Sequence, residues 1–90
     1  MLSSTLSVRN TLGLHARAAA QLVKLASSYR SKIELSRLGD NGKADAKSIL
    51  SVLSLAACCG TELEVTVEGE DEADAMSAIL NLFTNGFGER

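Results

Sequence analysis

Leu6 and Val8 alternate with Thr5, Ser7 and Arg9, a period of two that predicts a strand with one buried face. Asn10-Thr11-Leu12-Gly13-Leu14-His15 then breaks the alternation, and Gly13 can take backbone angles closed to other residues, so a short shaped loop is expected. From Ala16 to about Tyr29, Ala19, Leu22, Val23 and Ala26 follow helical spacing, with Ala18, Leu25 and Tyr29 on the flank of the stripe. Ile33 and Leu35 alternate with Lys32, Glu34 and Ser36 in a second strand. Gly39-Asp40-Asn41-Gly42 makes a turn into a short third strand near Lys43–Ala46, and together these form a hairpin. Lys47–Cys59 is expected to be a second helix whose Ile49, Leu50, Val52, Leu53 and Leu55 are too tightly clustered for one stripe to bury all of them. Leu63, Val65 and Val67 alternate with Glu62, Glu64, Thr66 and Glu68, a fourth strand with an acidic outer face that Gly69 ends. Glu70-Asp71-Glu72 opens a last helix where its dipole favours negative charge, Met76, Ile79, Leu80 and Phe83 form the apolar stripe, and Gly86 and Gly88 mark a frayed tail.

The order β-α-β-β-α-β-α, with strands apolar on one side only, predicts an open-faced α/β sandwich with its helices gathered on one face and the other face wet. Ninety residues fit one domain covering 1–90. With 46% hydrophobic residues and only Phe83, Phe87 and Tyr29 aromatic, the core must be aliphatic. The formal charge of −2 argues against a nucleic-acid binder, which needs a clustered basic surplus. No apolar run is long enough to span a bilayer, and Met1–Ser4 lacks the parts of a signal peptide, so the cytoplasm is the expected compartment. Cys58 and Cys59 are adjacent, a poor spacing for a structural staple and no zinc set. Two reduced thiols closing the second helix before Gly60 are expected, with a redox pair as the alternative.

The single histidine, His15, falls where the Gly13 loop meets the first helix. The first N–H groups of a helix lie ahead of its hydrogen-bond ladder and, with the macrodipole, form an anion site. Because that positive end opposes a second positive charge, it favours the neutral, nucleophilic ring. Such a ring can attack a phosphoryl donor and hold the group through a labile P–N bond, while Arg17 in the same turn offers planar donors to the phosphoryl oxygens. On its own an H-x-R pattern carries little weight, since a lone histidine at a helix start is most often an ordinary surface residue. Arg17, Gln21, Lys24 and Ser28 recur on the polar face of the same helix. That is a solvated face or, in an acidic protein, a basic strip suited to an acidic partner.

The run Asn10-Thr11-Leu12-Gly13-Leu14-His15-Ala16-Arg17-Ala18-Ala19-Ala20-Gln21-Leu22-Val23 resembles the active-site segment of the HPr family, the histidine-containing phosphocarriers of the bacterial phosphoenolpyruvate-dependent phosphotransferase system. The likeness continues at Ala46-Lys47-Ser48-Ile49-Leu50, at Gly60-Thr61 and at Glu68-Gly69-Glu70-Asp71-Glu72, nearly the whole chain. It implies an α+β, open-faced β-sandwich of four antiparallel strands with three helices on one face. It also implies phosphorylation of His15 on the ring nitrogen nearer the backbone, with Arg17 and the backbone of Ala16, Arg17 and Ala18 holding the phosphate. Enzyme I would be the donor and enzyme IIA domains the acceptors, with Lys24, Ile49 and Leu50 on the partner surface. Ser48 matches the site that an HPr kinase/phosphorylase modifies in many members, although a serine opening a helix is also an ordinary cap. The family pattern His-x-Arg-Pro-Ala has Ala18 here in place of proline, which keeps one more N–H donor near the phosphate.

These readings lead to a monomeric phosphoryl carrier, needing neither cofactor nor metal and turning over only with its partners. The alternative is an HPr-like regulatory module acting through Ile49, Leu50 and Ser48, which would need neither His15 nor Arg17. A small-molecule-binding domain ranks third.

Overall fold

The computed structural model describes residues 1–88. Its elements run β1 (Leu2–Ser7), α1 (Ala16–Ser27), β2 (Lys32–Arg37), β3 (Lys43–Asp45), α2 (Ile49–Ser54), β4 (Glu62–Glu68) and α3 (Glu72–Thr84), followed by one tight turn over Gly86–Gly88. The strands form one antiparallel sheet in the order β1-β4-β2-β3. This is the open-faced sandwich that the alternation predicts, in the α+β form of four antiparallel strands and three helices that the family resemblance implies.

Register follows from which side chains must be dry, because a slip of one residue would turn every side chain to the other face. Leu35 stands between Val65 and Ala44, and Ile33 opposite Val67. All five are buried and face Leu22 of α1 and Ile79 and Phe83 of α3 in one core. The opposite face carries Glu62, Glu64, Thr66 and Glu68 of β4 beside Lys32, Glu34 and Ser36 of β2. β1 starts at Leu2, earlier than its apolar alternation begins. Backbone pairing with Val67–Glu62 is indifferent to side chains, so Ser3 and Ser4 take part.

The second helix is shorter than expected, ending at Ser54 instead of Cys59. Ala56 takes φ +50°, a left-handed value that stops the helix and swings Ala57 into the core. Cys58 and Cys59 therefore do not close a helix; they lie exposed in the turn before β4. The tail also departs from expectation. Gly86 and Phe87 are buried, and the Phe87 ring meets Phe83 edge-on with centroids 4.9 Å apart, so this end is packed and not frayed.

Asp71, at the start of α3, does not cap its own helix. Its carboxylate accepts the N–H of Arg30 (2.8 Å), the N–H of Ser31 (3.0 Å) and the Ser31 hydroxyl (2.5 Å), so it ties α3 to the link between α1 and β2. The Ser31 hydroxyl bond and then the Arg30 N–H hold its pKa below the ordinary value, because both stabilise the charged form. Glu72 is lowered too, first by the Gly69 N–H and then by the chain's terminal ammonium.

Candidate phosphoryl site at the start of the first helix

The loop before α1 is held from within and from behind. The Asn10 carbonyl accepts the N–H of Gly13 at 3.0 Å, while the Asn10 side-chain amide donates to the Gly13 carbonyl at 2.6 Å. Asn10 is fully buried. Sequence reasoning did not single it out, although an asparagine three residues before a loop glycine is a recognised turn signal. Behind the loop, Leu14 donates to the Ala57 carbonyl at 2.9 Å, and Val8 exchanges backbone bonds with Thr61 (2.9 Å) and Gly60 (2.8 Å).

Gly13 sits at φ +67°, and a Cβ added there would stand 2.5 Å from the Ala57 oxygen. Only glycine meets both demands, and the loop so fixed delivers His15 to the cap position of α1. His15 has extended backbone (φ −78°, ψ 179°), and its side chain does not cap the helix. It is half-buried. The helix ladder begins with the Ala19 N–H bonding to the His15 carbonyl at 2.8 Å, so the N–H groups of Ala16, Arg17 and Ala18 precede it at the positive end of the dipole. The first turn contains no acidic residue to repel an anion, and Arg17 is exposed there. Ala18 is fully buried, so its methyl group packs in the core.

Along α1, Lys24 is exposed and lines a groove with Gln21, Leu25, Ser28 and Leu82 of α3. Ser48 caps α2. Its N–H bonds to the Asp45 carbonyl (3.0 Å) and its hydroxyl accepts the Ser51 N–H (3.4 Å). The next two residues, Ile49 and Leu50, are 40% and 78% exposed, while Val52 and Leu55 point into the core. A six-residue helix that buries its last turn leaves its first turn's apolar side chains in solvent. Among the described residues no cluster of three or more His, Cys, Asp or Glu side chains could hold a metal ion, and no helix is long and apolar enough to cross a membrane.

The arrangement sets an imidazole beside the positive end of a helix. Comparison with known proteins shows the family of the chain. Residues 2–85 match the family described as PTS HPr component phosphorylation site. The phosphocarrier protein HPr of Treponema pallidum is 51% identical over 99% of both chains, and that of Xylella fastidiosa (strain Temecula1) is 48% identical over 99% of this chain and 98% of its own. The crystal structure of HPr-C-His from Thermoanaerobacter tengcongensis superposes with a TM-score of 0.94 at 39% identity, covering 100% of this chain and 99% of that one. With one histidine held at a helix start in this fold, and full-length likeness to these carriers, the chain belongs to the HPr family of phosphotransferase-system phosphocarriers.

Proposed function

We propose that His15 is the phosphoryl-bearing residue. A ring nitrogen attacks the phosphorus carried by enzyme I; the donor's bond to phosphorus breaks with its electron pair returning to the donor, and a new P–N bond forms on His15. Arg17 and the N–H groups of Ala16, Arg17 and Ala18 hold the phosphoryl oxygens as charge develops on them. An enzyme IIA nucleophile then takes the group by the same exchange. The observation that carries this reading is His15 at the N-cap position of α1, next to the N–H groups of Ala16, Arg17 and Ala18 that precede the helix ladder. The chain acts as one domain and one monomer in the cytoplasm, as a stoichiometric intermediate and not as a catalyst by itself. Lys24, Ile49 and Leu50 form the surface that meets its protein partners.

Incubation with phosphoenolpyruvate and enzyme I is expected to add one phosphoryl group that is labile in acid and stable in base, and His15→Ala is expected to add none. Label that persists in the variant, or no label with active enzyme I, overturns the assignment.

A second reading rests on Ser48, which caps α2 beside the exposed Ile49 and Leu50. A phosphate there adds about −1.5 to −2 charge next to this apolar patch and weakens docking to an acidic partner. An HPr kinase with ATP should label wild type and leave Ser48→Ala unlabelled.

A further inference from the structure

Cys58 and Cys59 both expose their side chains in the turn between α2 and β4, and this turn is the wall against which the His15 loop rests. The Ala57 carbonyl holds Leu14, and the Cys58 Cα would lie only 2.9 Å from a Cβ on Gly13. The Cys59 thiol reaches across to the Arg9 carbonyl at 3.7 Å, and Gly60 and Thr61 pair with Val8. The turn is already constrained, because Ala56 is held at φ +50° and the Cys58 carbonyl accepts the Thr61 N–H at 3.0 Å.

We propose that Cys58 and Cys59 form a reversible oxidation site, closed to an intrachain disulfide by a hydroperoxide, and that closing it shifts the loop that presents His15. One thiolate sulfur attacks a peroxide oxygen; the O–O bond breaks, hydroxide leaves, and a sulfenic acid forms. The neighbouring thiol then attacks that sulfur, the S–O bond breaks and the S–S bond forms. In sum, two thiols and one hydrogen peroxide give one disulfide and two waters, with the peroxide reduced. Adjacency makes the second step intramolecular, which favours it over attack by a thiol of another molecule.

The coupling to the loop is geometric. Every peptide bond among the described residues is trans. The two cysteine Cα atoms are therefore ~3.8 Å apart, short of the ~4.4–6.8 Å that disulfides usually span. The eight-membered ring therefore closes only with distorted backbone and side-chain torsions on both sides of the Cys58–Cys59 peptide. That distortion draws the Cys59 sulfur from the Arg9 carbonyl and the Cys58 sulfur from the Ala56 carbonyl, disturbs the bond to Thr61 and moves the Cys58 Cα that abuts Gly13. A strained, exposed disulfide is also easily reduced, so the change reverses.

The displacement stands apart from the phosphocarrier reading; its effect on phosphoryl transfer rests on that reading. The full-length chain, uniformly labelled with nitrogen-15, is treated with hydrogen peroxide and followed by intact mass and by amide spectra. The expected result is a monomer lighter by two hydrogens, with displaced Gly13 and Leu14 amide signals, and full return on adding dithiothreitol. Cys59→Ser should keep the Gly13 and Leu14 signals in place under the same peroxide. A covalent dimer as the main product, sulfinic acid without a disulfide, or an intrachain disulfide with unmoved Gly13 and Leu14 signals each overturns the proposal. In the transfer assay the oxidised form should accept phosphate about tenfold more slowly. If the reduced chain accepts none, the phosphocarrier reading fails while the amide shifts still decide the switch.

Discussion

Gly13 carries the greatest local constraint on the site, because its φ of +67° and the 2.5 Å approach of a built Cβ to the Ala57 oxygen both exclude a side chain. Gly13→Ala is expected to cost about 2 kcal/mol or more, combining the left-handed penalty with displacement of a backbone wall. Thermal denaturation measures this, and a melting temperature equal to wild type would contradict the close contact. Leu50 is the opposite case. At 78% exposure it has little to lose from Leu50→Ser, so stability should change by no more than about 0.5 kcal/mol. If Leu50 lies on the docking surface, calorimetric titration with enzyme I should show binding weakened by about 1 kcal/mol or more. Of the candidate residues, His15, Arg17 and Ser48 were legible from type and place in the chain. Asn10 was not, since its importance comes from complete burial and a bond to Gly13 that appear only when the loop closes.

At the scale of elements, the junction of α1, β2 and α3 depends on Asp71, whose carboxylate takes three hydrogen bonds from Arg30 and Ser31. A carboxyl whose folded pKa is below its ordinary value adds stability that is complete above that ordinary value, 3.8 for Asp71, and is lost as the pH falls through the lowered one. Wild type should therefore lose stability on acidification below that ordinary value. Asp71→Asn should start less stable at neutral pH and fall less steeply, which a series of melting curves from neutral to acidic pH would show. The negative run Glu70-Asp71-Glu72 was legible as a helix start from the dipole alone. Its use as a tie to Ser31 was not, because the partner lies 40 residues away. The same limit explains α2. Its apolar cluster signals a helix, but the helix ends at Ser54 because Ala57 must turn back to pair with Leu14, a demand made by a distant loop.

Across the whole molecule, the core is one continuous aliphatic layer between sheet and helices, closed at one end by Phe83 and Phe87. Phe87 is held at φ +58° between Gly86 and Gly88, both also left-handed, an unfavourable conformation that burial of its ring offsets. Phe87→Ala removes that burial without relieving the backbone and should cost about 3 kcal/mol or more, lowering the calorimetric melting temperature by more than about 10 °C for a domain of this size. A glycine-flanked end looks loose in sequence, and only packing against Phe83 makes it part of the core. By itself the sequence determined the strand and helix order, the one-sided sheet and the position of its only histidine at a helix start, since all three are local: they depend on periodicity, on alternation and on the identity of neighbouring residues. Tertiary structure alone decided what presents that histidine. The Asn10–Gly13 turn, the Ala57 wall behind it, the short α2 and the Asp71 tie are contacts between segments far apart in sequence, and none leaves a periodic mark on the chain.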